Sequence, residues 1–400
     1  MSDTLLPGKT SANDRHLTSK LNQTALAMPA SGIRRFFDLV IGMDDVVSLG
    51  VGEPDFPTPQ RIRDQGIADL EASRTTYSSN WGLLQLRETV AEWVERKYSV
   101  SYDPEDEVLI TVGASEAIDM ALRAIVNPGD EVIVLQPCFV SYAPSVALAG
   151  GVPVIFPTWQ KDGFRANLDE LQKAVTTRTK ALMINYPNNP AGHTFDREDL
   201  EALAEFVKKN DLLVISDEIY SELTYDKEHI AFSSLPGMRE YVILINGLSK
   251  SHSMTGWRIG FACAPREICT LMCKIHQYAI MCAPTVSQYA AIVALRDCDE
   301  DVNWMRDQYQ ERRDLIVKGF NDLGLKTLVP EGAFYAFADI RSTGYTSEDF
   351  CMKLLEQEKV AVVPGTAFGE CGEGFIRASY ASSTEKIALA LEKIGKFLGR

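Results

Sequence analysis

Five short apolar runs constrain this chain more than any other feature. They cover residues 108–111, 131–135, 181–185, 212–216 and 241–246. Each lacks polar alternation, and each is followed by small or polar residues and then by a helical pattern. Strands of that kind are covered on both faces. After the first run, Ile118, Leu122 and Ile125 recur at helical spacing. Strand alternating with helix implies a mostly parallel sheet with helices on both faces, an α/β large domain. The C-terminal third reads differently. A charged helical stretch beginning near residue 290 precedes "PEGAFYAFADI", an alternating strand, and then a further helix and "GFIRASY". This describes a smaller α+β domain. With 400 residues the chain has room for two domains. The expected division is a polar arm at 1–30, a large domain at 61–294, and a small domain built from 31–60 and 295–400.

The formal net charge of −15 argues against a nucleic-acid surface. No apolar run approaches the roughly 20 residues of a membrane span. "MSDTLLPGKTSANDRHLTSK" carries no apolar secretion signal, so a cytoplasmic location is expected. The eight cysteines are scattered. Cys269 and Cys273 are four apart but have no histidine or CxxC pair beside them, so buried thiols are expected and no metal.

Ligands of open parallel sheets bind beyond the carboxyl ends of the strands. After the first run comes "VGASEA", where Gly113, Ala114 and Ser115 open a helix. The turn is either a plain tight turn or a phosphate cradle made of N–H groups and the Ser115 hydroxyl. It is neither GxGxxG nor a P-loop. Phe139 follows the second run, as a core ring or as a stacking ring. "YPNNPAG" with Asn189 follows the third and is, taken alone, a polar turn. Asp217 follows the fourth, with Tyr220 three residues on; a carboxylate there is costly to bury without a partner. "SKSHSMTGWRIG" follows the fifth and contains Ser249, Lys250 and Arg258. Pyridoxal 5′-phosphate would use all of these groups. Its aldehyde takes a lysine as a Schiff base, its pyridine nitrogen a carboxylate, its phenolic oxygen donors, and its phosphate N–H groups, hydroxyls and an arginine.

The motifs "GVGEPDF", "TYSSNWGLLQLR", "TVGASEAID", "YPNNPAG", "DEIY", "SKSHSMTGWRIG" and "FIRASY" occur in this order along nearly the whole chain. In this the sequence resembles the fold-type I pyridoxal-phosphate aminotransferases of classes I and II. The resemblance implies that Lys250 is the Schiff-base lysine and that Asp217 pairs with the pyridine N–H. It implies that Asn189 and Tyr220 serve the phenolic oxygen and that Phe139 stacks on the ring. Gly113, Ala114, Ser115 and Arg258 would hold the phosphate. Tyr77 would reach the phosphate of a neighbouring subunit in a homodimer. Gly52 and Arg377 would hold the substrate α-carboxylate, a role that suits the planar guanidinium.

Two positions depart from the pattern. Many members carry a serine three residues before the lysine as a phosphate ligand. Here that residue is Gly247, and Ser249 lies nearer the lysine. Some members read a distal carboxylate with a lysine at the position of Ser115. The wording of the motifs is most similar to bacterial aspartate, aromatic and N-acetyl-diaminopimelate aminotransferases. The implied activity is ping-pong transfer of an amino group from an L-amino acid to a 2-oxo acid, 2-oxoglutarate in most members. A C–S β-lyase on the same fold would share the cofactor site.

Overall fold

The computed structural model describes residues 17–28, 32, 43 and 45–400. The other residues expected in the arm, 1–16 and 29–30, lie outside the described residues, as do 31, 33–42 and 44 of the expected small domain. The described strands are β1 (Val47–Ser48), β2 (Val108–Thr111), β3 (Glu131–Gln136), β4 (Val152–Pro157), β5 (Thr179–Asn185) and β6 (Leu213–Asp217). They continue with β7 (Val242–Gly247), β8 (Gly260–Cys263), β9 (Tyr335–Asp339), β10 (Val360–Ala361), β11 (Val363–Pro364) and β12 (Phe375–Ser379). The helices are α1 (Gln23–Ala27), α2 (Gln60–Glu71), α3 (Leu84–Tyr98), α4 (Ala114–Ile125), α5 (Tyr142–Leu148) and α6 (Leu168–Lys173). After them come α7 (Arg197–Lys209), α8 (Arg266–Ala279), α9 (Thr285–Asp297), α10 (Asp299–Asp322), α11 (Ser347–Glu358) and α12 (Thr384–Phe397).

Seven strands form the main sheet in the order β2-β8-β7-β6-β5-β3-β4. All neighbours are parallel except β8, which runs antiparallel to both β7 and β2. The large domain is thus α/β with a mostly parallel sheet, as the apolar runs imply. Two strands have no counterpart among those runs. β4 is an edge strand in which no residue is fully buried, and β8 is only "GFAC". The apolar run of β4, "VPVIFP", is interrupted by Pro153 and Pro157, as suits an edge strand, and β8 is too short to stand out as a run.

Glycine admits β8. A Cβ on Gly247 would lie 2.9 Å from the Gly260 Cα, and one on Gly260 would lie 2.8 Å from the Ala114 nitrogen. Close approach of β7, β8 and the start of α4 therefore requires both glycines. On one face of the sheet, Ile118 and Leu122 of α4 pack with Val134, Ile215 and Ile245. On the other, Leu200 and Leu203 of α7 join Leu182, Val214 and Leu244. Each such side chain, once fully buried, contributes about 1.5–3 kcal/mol of transfer free energy.

The smaller α+β part holds the antiparallel sheet β11-β12-β9 and the parallel pair β1-β10. The Leu49 carbonyl accepts from Ser379 N at 2.6 Å, so the segment around β1 is tied to β12. The sequence "YAFA" in β9 alternates in size rather than in polarity: all four residues are buried. The charged helical stretch is two helices. The chain breaks at Cys298, and α10 starts with Asp299, Glu300 and Asp301, acids that suit a helix N-terminus. All eight cysteines are free, six of them buried. Among the described residues no helix is long and apolar enough to cross a membrane.

Candidate active site

The loops after β2, β3, β5, β6 and β7 converge on one cavity of about 300 Å³, large enough for a small cofactor. Lys250 lies in the turn after β7. Its Nζ donates to the Gly52 carbonyl at 2.7 Å, so a residue near β1 meets the large domain here. Burial lowers the lysine pKa to about 8, with Glu53 acting against the shift. Asp217 is the last residue of β6 and is buried. It accepts from Tyr142 Oη at 2.6 Å and from Ile219 N at 3.2 Å. Burial nevertheless raises its carboxyl to about 6, the Tyr142 bond opposing it. It is a carboxylate that a cation would stabilise. Asn185, beside Asp217 in the sheet register, donates to the Asp217 carbonyl at 2.8 Å and accepts from Asn189 N at 3.0 Å. That pair of bonds places the loop carrying Asn189.

The anion-binding end is the start of α4. Gly113 caps it with φ +80°, and a Cβ there would lie 2.7 Å from Arg258 Nη2. Glycine thus lets the guanidinium lie across the turn. Arg258 is held by the Thr255 carbonyl at 3.0 Å and the Val112 carbonyl at 3.3 Å. The first N–H groups of a helix have no acceptor within it and carry a partial positive charge. Ala114 and Ser115 present them to the cavity.

At the opposite end is Arg377, from β12, only 2% exposed. Its guanidinium lies 4.4 Å from the Tyr335 ring centre and 4.8 Å from that of Phe368. One nitrogen donates to Asn189 Oδ1 at 2.9 Å and another to the Gly50 carbonyl at 2.7 Å; Nε has no partner among the described residues. A guanidinium only donates, so the amide oxygen of Asn189 must face it, and the NH₂ is the group left for a ligand. Among the described residues no carboxylate forms an ion pair with Arg377. Burial lowers its pKa, and a buried guanidinium without a counter-ion calls for an anionic ligand.

The sequence profile of the family "Aminotransferase class I and II" matches residues 44–394. The chain belongs to the class I and II aminotransferases. It is 50% identical over 382 residues to the Bacillus subtilis protein YugH, covering 96% of this chain and 99% of that one. An aspartate aminotransferase of Pyrococcus abyssi is 47% identical, over 92% of this chain and 95% of its own. The crystal structure of the aromatic aminotransferase from Pyrococcus horikoshii superposes with a TM-score of 0.87 at 46% identity, over 92% of this chain and 98% of its own.

The aminotransferase is a pyridoxal-phosphate enzyme, and its cavity suits that cofactor. A helix N-terminus and an arginine suit the phosphate, and the buried carboxylate, which has no cation bonded to it among the described residues, suits the pyridine nitrogen. The amine at the centre suits the aldehyde. Of the residues expected at the site, Lys250, Asp217, Tyr220 and Asn189 line the cavity together. So do Ala114, Ser115, Phe139, Ser249 and Arg258, and Gly52 and Arg377 from the smaller part. Gly113 stands one residue behind the lining. Tyr77 does not reach this cavity, and its side chain is 81% exposed. Ser249 is buried beside Lys250. A serine at 247 would collide with β8, which is the physical reason for glycine there.

Tyr142, Asn185, Thr255 and Tyr335 of the aminotransferase also line the cavity, and sequence reasoning did not single them out. For Tyr142 a signal existed: it stands three residues after Phe139, on the same side of a helical turn. Tyr335 lay hidden in a strand that reads as core.

Proposed function

We propose that Lys250 is the catalytic base and acid of this aminotransferase, Asp217 the counter-ion of the cofactor ring, and Arg377 the reader of the substrate α-carboxylate. The observation that carries this reading is Arg377: a buried guanidinium, stacked between two rings, with no carboxylate partner among the described residues. When bound, the cofactor supplies a carbonyl that condenses with amines and a ring that takes up the electrons released at Cα. Lys250 Nζ takes the proton from the substrate Cα and returns it as an acid; its lowered pKa leaves more free amine near neutral pH. Asp217, held by Tyr142, keeps the ring nitrogen protonated. Tyr220 and the Asn189 NH₂ donate to the phenolic oxygen, and Phe139 covers one ring face. Gly113, Ala114, Ser115, Ser249 and Arg258 hold the phosphate, and Gly52 borders the α-carboxylate site.

The acceptor is 2-oxoglutarate, which presents to Arg377 the same α-carboxylate as the amino donor. The enzyme works as a homodimer in which Tyr77 serves the partner's cofactor. This is supported by a single exposed patch. Tyr77 is 81% and Tyr278 83% exposed, with Ile280 and Met281 about half exposed. Bonds from Asn80 to Met281 and from Thr285 to Thr76 hold the two segments side by side. Contiguous exposed apolar side chains mark an interface. Eight free thiols suit a cytoplasmic location. The test is a panel of amino donors supplied with 2-oxoglutarate, reading glutamate formation. Aspartate, aromatic amino acids and N-acetyl-diaminopimelate head the panel. Glutamate formed from one of these supports the reading. Pyruvate and ammonia released without any oxo acid would instead mark a β-lyase.

A further inference from the structure

Tyr335 lines the site and has no role assigned above. Its ring, 1% exposed, supports the Arg377 guanidinium at 4.4 Å. Its register explains this: Tyr335 pairs with Ser379 and Phe337 with Arg377, so Tyr335 and Arg377 are diagonal neighbours on one face of the sheet. Its hydroxyl lies 2.8 Å from Tyr220 Oη. A Cβ on Gly52 would come within 2.6 Å of the Tyr335 hydroxyl, so Gly52 closes one side of it. Among the described residues Tyr220 is its only hydrogen-bond partner.

Two phenols in contact share a single hydrogen bond, and the one that donates has no proton left to offer elsewhere. Both are buried, at 4% and 1% exposure, so bulk water does not relieve the choice. The cation stacked on Tyr335 makes its hydroxyl the better donor of the two. If Tyr220 donated to Tyr335 instead, Tyr220 would turn only a lone pair toward the cavity, and the phenolic oxygen of the cofactor would be repelled by it.

We propose that Tyr335 is a positioning residue: its hydroxyl donates to Tyr220 Oη and thereby turns the Tyr220 proton into the cavity, toward the phenolic oxygen of the cofactor. This rests on the role of Tyr220 given above. Hydrogen bonds in a chain polarise one another, so the Tyr335 bond also strengthens the donation by Tyr220. The effect favours the ionised phenolic oxygen.

The experiment is a pH titration of the visible absorption of the bound cofactor in the holoenzyme, without substrate. Tyr335→Phe keeps the ring beneath Arg377 and removes only the hydroxyl. Its midpoint should rise by about 0.2–0.5 pH unit. Tyr220→Phe should raise the midpoint further, and the double variant no more than Tyr220→Phe alone. An unmoved midpoint in Tyr335→Phe overturns the proposal. So does an equal shift from Tyr335→Phe in the Tyr220→Phe background, because the effect would then bypass Tyr220. A midpoint insensitive to Tyr220→Phe removes Tyr220 from the phenolic oxygen and takes the relay with it. A shift in Tyr220→Phe alone spares the role of Tyr220 and removes only Tyr335.

Discussion

Lys250 and Asp217 are displaced in opposite directions by one cause. Burial penalises whichever form is charged, which lowers the ammonium to about 8 and raises the carboxyl to about 6. The sign for Lys250 follows from its ordinary value of 10.5. As pH falls from there toward 8, the unfolded chain takes up a proton that the folded protein resists, so the folded state loses stability across that window. In return the free amine is available at lower pH. The rate at which apoenzyme combines with pyridoxal 5′-phosphate should rise with pH and level off above about 8. A rate still climbing tenfold per unit at pH 10 would show an unshifted lysine. Lys250→Ala should abolish transamination. Arg377 carries a second prediction at this scale. Truncating one partner of a buried charge pair costs about 2–5 kcal/mol, or roughly 30-fold to a few thousand-fold. Arg377→Ala should lower kcat/KM by that factor for every amino donor and every oxo acid alike, since all share the α-carboxylate. A loss confined to dicarboxylic substrates would assign Arg377 to a distal carboxylate instead.

Among the elements, β8 decides most. It enters the sheet antiparallel between β2 and β7, and its turn brings Arg258 back over the start of α4. The approach depends on the Gly247–Gly260 pair, opposite each other in the register. Gly247→Ser would place a Cβ 2.9 Å from the Gly260 Cα and 3.1 Å from the Ile259 carbonyl oxygen. Backbone atoms cannot swing aside as a side-chain tip can. Overpacking of this kind costs about 1–3 kcal/mol. The variant should unfold at lower denaturant concentration than the parent and release cofactor phosphate more readily, because Arg258, two residues before β8, would shift with it. Unchanged stability would mean that β8 has slack which the geometry does not show.

For the whole molecule the question is whether one chain makes a complete site. Tyr77 is far more exposed than a phenol in its own chain's cavity would be. A two-fold interface would bring the patch around Tyr77 against its copy and hand each phenol to the opposite site. Tyr77→Ala and Lys250→Ala chains are each expected to be weakly active or inactive. In a mixed dimer with shared sites, one site carries both lesions and the other carries none. Mixing and re-dimerising the two should therefore restore activity, approaching half that of the parent per mixed dimer. If mixed dimers form and activity does not return, each chain uses its own Tyr77.

The order of the motifs and the unbroken apolar strands already determined the fold class, the cofactor and the residues at the strand ends. Both are local facts: strand burial is written in composition, and Asp217 ends its strand while Lys250 and Asn189 stand shortly after theirs. The tertiary structure decided what depends on contact between distant segments. Tyr142 meets Asp217 across 75 positions of sequence. Tyr335 meets Tyr220 across 115 positions, from a different sheet. β8 was invisible because it is only four residues long with one bulky side chain, Phe261, and its place depends on two glycines that read, in sequence, as ordinary turns. A single chain of residues records what each can do; which hydroxyl completes which hydrogen bond is settled only when packing removes the water that would otherwise serve.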